Sequence, residues 1–172
     1  MEGTMNTKQI RIVQASVVTM VALYATFVFA GNLMDYDSNY QYVKHVLSMD
    51  TTFEGNKLMW RAVTSETLHT LAYWGIILVE GLVALFAWMS GIKMFNRLKA
   101  SEESFAAAKR HGFYAFLLGF VLWFVGFICF GTEWFAMWQS DIWNGKQTAM
   151  DIVEVVGIFM VAYMLPSDWS KK

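Results

Sequence analysis

The sequence predicts an all-α membrane protein: a four-helix transmembrane bundle with both termini on one side and short surface helices in its first outer loop. Three observations predict it. Of 172 residues, 56% are hydrophobic and only 16% are charged, too few charges for a soluble domain of this size. The apolar residues gather into runs that match the roughly 20 residues of helix needed to cross a hydrocarbon core of about 30 Å. Proline, which would interrupt such runs, occurs once, at Pro166. The expected membrane helices cover residues 10–34, 67–91, 111–132 and 148–165 in a single domain, with outer loops at 35–66 and 133–147 and an inner loop at 92–110.

The first run, Ile10–Met34, has Lys8 and Arg11 at its start and contains Val28-Phe29-Ala30, which resembles a signal cleavage site. The run is longer than the roughly 7–15 residues of a signal-peptide core, so it reads as a retained span. The first outer loop carries Ser38-Asn39-Tyr40-Gln41, a capping-box pattern, before a short helix with Val43, Val46 and Leu47 on one face. This helix is expected on the membrane surface or over the mouth of the bundle. Thr51–Gly55 reads as a turn and Asn56–Val63 as a second short helix. Ser65 or Thr64 is the expected cap of the second span, Leu68–Met89, with Glu66 in its first turn.

The inner loop, Lys93–Arg110, is charged and expected to be helical at both ends. It leads into the third run, Gly112–Gly131. Trp134, Trp138 and Trp143 in the second outer loop suit an interfacial aromatic belt, and Asn144-Gly145 signals a turn. The fourth run, Ala149–Leu165, is short and includes Asp151 and Glu154. Lys8, Arg11, Lys93, Arg97, Lys99, Lys109, Arg110, Lys171 and Lys172 flank one side, against Lys44, Lys57, Arg61 and Lys146 on the other. This bias places both termini in the cytoplasm.

Several function classes are not expected. A net charge of −1 without a basic, aromatic-interleaved cluster points to no nucleic-acid partner. Cys129 is alone, so there is no intrachain disulfide. His69 near the outer face and His111 near the inner face cannot sandwich a haem, and His45 is in an outer loop. No nucleotide-binding loop or nucleophile triad is present.

Polar and small residues form stripes at helical spacing. Glu66, His69, Tyr73, Glu80, Ala84 and Gly91 share one face of the second helix within about 60°. The third helix has Gly112, Ala115, Gly119 and Gly126, ending at Glu133, and the first has Ala15, Thr19, Ala22 and Thr26. Small residues let helices approach closely in lipid, so these stripes are expected to pack together. Counted along its own helix, Glu80 falls near the midplane, where a charged acid costs about 2.5–3.5 kcal/mol. Apart from Arg11 at the start of the first run, no Lys or Arg lies within the runs. Glu80 is then either neutral and hydrogen-bonded to Thr19, Thr26, Tyr24 or the Trp123 indole, or partnered from outside the chain. Tyr73, Thr19 and Thr26 are its expected buried polar companions, and a proton or small-solute pathway is one reading of the set.

Glu66 and His69 form a Glu-x-x-His step of the kind that aims two metal ligands inward in di-metal bundles. Glu133, Asp151 and Glu154, counted along their helices, fall near the same outer end. The five form a candidate site for a metal ion harder than copper, or for zinc. The step occurs once where di-metal bundles carry it twice, and acids in a first helical turn also suit the helix dipole.

The segments "HVLSMDTTF" (His45–Phe53), "MWRAV" (Met59–Val63), "LHTLAYW" with Glu80 beyond it, "FAAAKR" (Phe105–Arg110) and "GTEWFAMWQSDIWNG" (Gly131–Gly145) resemble a bacterial family of predicted small integral membrane proteins, a domain of unknown function. The likeness spans nearly the whole chain. It implies four spans in the bacterial cytoplasmic membrane, no assigned activity and no catalytic residue. The leading functional expectation is a non-catalytic subunit or scaffold that self-associates or joins a larger membrane complex. The alternatives are the metal or redox site and the Glu80 pathway.

Overall fold

The computed structural model describes residues 6–167, so Lys171 and Lys172 of the charge count lie outside the described residues. Helix α1 spans Thr7–Met34. Asn6 opens it: its side chain accepts from the Gln9 backbone N–H while its own N–H donates to the Gln9 side chain, both at 2.9 Å. That reciprocal cap satisfies two otherwise unpaired groups of the helix start. Helix α2 spans Tyr36–Ser48. It begins before the predicted Ser38 cap because the chain hardly leaves α1: Asp35 ends one helix and its carbonyl accepts from Asn39 in the next. Val43 and Val46 are its buried face. The turn at Thr51–Gly55 is present, but only a single 3-10 turn, Met59–Arg61, forms within the predicted second short helix.

Helix α3 spans Glu66–Asn96, and Ser65 caps it as expected, accepting from the Leu68 N–H at 3.5 Å. Helix α4 starts at Glu102 rather than near 111. Ser101 caps it by accepting from the Ser104 N–H at 3.3 Å, and two glutamates occupy the first turn, where the helix dipole favours them. The inner loop therefore shrinks to a tight turn at 97–101. After Gly119 the helix continues as a π-helix, Phe120–Trp134, whose last turn closes with Phe135 N–H donating to the Phe130 carbonyl at 2.9 Å. Helix α5 spans Lys146–Met164. The described residues contain no strand, and four helices are long and apolar enough to cross a membrane: Thr7–Met34, Glu66–Asn96, Glu102–Trp134 and Lys146–Met164.

Small residues lie at several of the helix contacts. Ala15 and Ala22 on α1 and Ala87 on α3 are fully buried. A Cβ on Gly91 would collide with the Thr19 hydroxyl, so the α1–α3 contact depends on that glycine. On α4, Gly112 lies against Tyr163 and Ser90, Ala115 is fully buried, and Gly119 faces Val156 of α5. The stripe then ends. A Cβ on Gly126 would meet only the Val121 carbonyl of its own helix, at 3.7 Å, and Glu133 is exposed. The cause is the change of helix type: i→i+5 bonding widens the turn, so each residue rotates by less than the 100° that placed Gly126 and Glu133 in phase with Gly112.

One end of the molecule is tied together by polar side chains. Arg11, 5% exposed, donates through Nη1 to the carbonyls of Leu98 (3.2 Å) and Ala100 (2.7 Å), and its guanidinium lies 4.7 Å from the Phe105 ring centroid. Gln14 donates to the Leu165 carbonyl at 2.7 Å. The start of α1, the α3–α4 turn and the end of α5 thus lie together.

The opposite end is a cap built from the first outer loop and the Trp134–Trp143 segment. Thr51 and Ser140 hydroxyls pair at 2.8 Å, Gln139 accepts from Asn56 at 3.2 Å, and His45 stacks on Trp143 with centroids 4.8 Å apart. Met49 and Ala136 hold the left-handed conformation (φ 54° and 51°) though each is only 1% exposed. Such backbone persists in non-glycine residues where surrounding packing enforces it.

Tyr42 of α2 belongs to this cap, donating to Met137 Sδ at 2.8 Å. Burial pushes its phenol up to about 12, against a smaller downward pull from the Gly145 backbone. The unfolded chain therefore loses this proton first. Tyr42 stabilises the cap fully below about pH 10 and ceases to as pH rises through about 12. We expect Trp fluorescence melts to show stability falling above pH 10, with a shallower fall in Tyr42→Phe.

Candidate functional site

Beneath the cap, α1, α2, α3, the π-helix and α5 meet around a cavity of about 310 Å³. Glu80, 2% exposed, lies in its wall. Its carboxyl Oε2 accepts from Asn32 Nδ2 at 2.7 Å. Tyr73, 1% exposed, donates to the Asn32 carbonyl at 2.8 Å and so fixes the backbone that carries this amide. Tyr24, Tyr42, Trp123 and Phe127 supply aromatic walls, with Tyr24 and Trp123 centroids 6.0 Å apart.

Helix offset decides the depth of Glu80. It lies fourteen residues, or about 21 Å, along α3 from Glu66. Yet it bonds Asn32, near the last residue of α1, and shares the cavity with Thr148 and Ala149 in the first turn of α5. Glu80 is therefore level with one end of α1 and α5, not with their middle as its place in α3 predicted. α3 rises several turns above its neighbours, and α2 clads the part that does, with Tyr36 edge-on to Tyr73 at 4.9 Å.

The expected partners of Glu80 divide. Tyr73 is in the site through Asn32. Thr19 and Thr26 donate instead to carbonyls of their own helix, Ala15 at 2.8 Å and Ala22 at 2.7 Å, and Thr26 also accepts from the Trp88 indole at 3.0 Å. Asn32 was missed. It closes the first apolar run, where a polar residue reads as the end of a span, and nothing in sequence ties it to an acid in another helix.

The five metal candidates are not brought together. His69 is 2% exposed and donates through Nε2 to the Val63 carbonyl at 2.7 Å, while its Nδ1 has no partner among the described residues. Glu66 and Glu133 are exposed. Asp151 and Glu154 are exposed too, and Asp151 accepts from Gln147 at 2.7 Å. Because α3 begins far above α5, Glu66 and Glu154 are separated by more than about 20 Å along the helix axes. Among the described residues no three His, Cys, Asp or Glu side chains converge on a metal-sized site.

A family model described as predicted small integral membrane protein (DUF2165) matches residues 10–166. The chain belongs to that family. It is an integral membrane protein, and its environment is a lipid bilayer. No curated protein and no solved structure matches it. Three of the five segments that carried the resemblance, His45–Phe53, Met59–Val63 and Gly131–Gly145, interlock as the cap. Of these segments Gly145 reaches the cavity, where it contacts Tyr42, and both line it.

Proposed function

We propose that the protein is a non-catalytic subunit of a larger membrane complex, docked through the outward face of α5. The observation that carries this is Glu154. It is exposed, it makes no hydrogen bond or ion pair among the described residues, and it sits eight residues into a helix of nineteen. Nineteen residues span about 28 Å, so all of α5 is needed to cross a bilayer, and Glu154 lies about 12 Å in. Asp151, Glu154, Val155, Ile158 and Val161 form one exposed face of α5, the least buried of the four long helices. Acids within a membrane rarely face lipid; they pair with another group.

Lys8, Arg11 and Lys93 sit near helix ends, and Lys109, next to Arg110, is level with the end of α5, where it donates to the Leu165 carbonyl at 3.4 Å, so a second copy offers no cation at the depth of Glu154. The partner that fits presents a Lys, Arg or amide near mid-membrane, and a carboxyl–carboxyl pair between two copies is the competing outcome. The excess of Lys and Arg at the Arg11 end supports cytoplasmic termini in a bacterial inner membrane, with the cap outside.

Native purification of tagged protein in mild detergent, with mass measurement, tests this. A complex heavier than 19.7 kDa is expected from the wild type and is expected to dissociate in Glu154→Leu. The same variant isolated alone should be at least as stable as wild type, since Leu at that depth is favoured over an acid by about 3 kcal/mol. A wild-type monomer with no copurifying chain would overturn the reading.

A further inference from the structure

The cavity beside Glu80 carries an inference independent of the α5 face. Three features decide what it would hold. First, its charge is one-sided. No Lys, Arg or His lines it, and the carboxyl's only hydrogen bond among the described residues is the one from Asn32 to Oε2. Oε1 has no bond to the described protein and is available to an occupant. A buried acid with one amide for company is incompletely satisfied, because a carboxylate can accept several hydrogen bonds.

Second, the other walls are aromatic. Tyr24 and Trp123, with centroids 6.0 Å apart, and Tyr42 and Phe127, stacked with centroids 6.3 Å apart, line the cavity. Ring faces attract cations, more strongly when water is excluded. Third, the volume, about 310 Å³, falls at the small end of pockets that hold organic ligands and is far larger than a bare metal ion needs. Metal coordination is further disfavoured by the single carboxyl, since ions that prefer oxygen take six or more such ligands.

A separate apolar groove of about 290 Å³ runs between α1 and α5, lined by Met20, Val21, Val155 and Phe159. It shares Tyr24, Thr148 and Ile152 with the cavity, so these side chains form the partition between them. Asp151 also lines the groove.

We propose that this cavity binds a small organic cation of the alkylammonium class, with Glu80 as counter-ion and Tyr24, Tyr42 and Trp123 as its aromatic enclosure. Asn32 holds the carboxyl in place, and Tyr73 holds Asn32.

The test is a titration of the purified full-length protein in nanodiscs with tetraethylammonium, followed by tryptophan fluorescence and calorimetry. Saturable binding is expected. Its uncharged isostere, 3,3-diethylpentane, and sodium chloride at matched concentration are both expected to compete at least tenfold less well. Glu80→Gln keeps the shape and a hydrogen-bonding amide, and is expected to weaken tetraethylammonium at least tenfold while its melting temperature stays close to wild type. Trp123→Leu is expected to weaken it severalfold. The wild-type competition needs no variant to fold. Absence of saturable binding, equal binding of the uncharged isostere, displacement by sodium at equal concentration, or unchanged affinity in a folded Glu80→Gln protein would each overturn the assignment.

Discussion

Gly112→Val is expected to destabilise the protein by about 2–5 kcal/mol, the sum of overpacking a close contact and disrupting a buried hydrogen-bonded hydroxyl. A Cβ at Gly112 collides with the Tyr163 ring and hydroxyl and comes within 2.9 Å of Ser90 Oγ. Tyr163 is fully buried and donates to the Lys109 carbonyl at 2.5 Å. Ser90, also fully buried, lies 2.9 Å from both the Tyr163 hydroxyl and the Ala108 carbonyl. One added side chain therefore displaces the group that joins α3, α4 and α5. Gly126→Val, on the same predicted stripe, is the control. Its Cβ makes only an ordinary van der Waals contact, with the Val121 carbonyl at 3.7 Å, and its effect is expected to stay within about 1 kcal/mol. Thermal unfolding in a common detergent compares the two. Equal effects would mean that the stripe does not end where the π-helix begins.

Arg11→Met is expected to cost about 2–5 kcal/mol, from two hydrogen bonds to a charged donor and a cation–π contact. The carbonyls of Leu98 and Ala100 lose their donor, and the Phe105 face loses its cation. Arg11→Lys should recover only part of this, because an ammonium lacks the planar fork that stacks on a ring while donating. Lys8→Met, which removes the same charge three residues earlier from an exposed position, is expected to be near neutral. Membrane orientation, read by labelling either end, should be unchanged in all three, since many basic residues remain at that end. A loss of stability in Lys8→Met equal to that in Arg11→Met would remove the structural role of the guanidinium.

Arg11 shows the limit of a charge count. As one of many basic residues it marks a side of the membrane. Folded, it is a buried link between α1 and the α3–α4 turn, and its identity as arginine matters more than its sign. Asn32 shows the same limit at the site. The sequence singled out Glu80 as an acid in an apolar run and Tyr73 on its face, and both line the cavity. The partner amide, the aromatic walls and the cavity come from five separate elements. The Ser65 cap, by contrast, was readable because capping joins neighbours in sequence and needs no tertiary contact.

Composition, run length and helical periodicity determined that this chain is all-helical, has four segments able to cross a membrane, and buries the faces with small residues. These properties depend on each segment's own exchange of water for hydrocarbon and on a repeat of 3.6 residues, which adjacent letters encode. Tertiary structure alone decided the relative heights of the helices. α3 rises past α1 and α5, so equal counting along separate helices put Glu80 too deep and Glu154 too shallow, and gathered five metal candidates that lie apart. Height is set by which side chains of different helices interlock, such as Gly91 on Thr19 and Gly112 on Tyr163, and a change to π-helical bonding shifts the phase of everything after it.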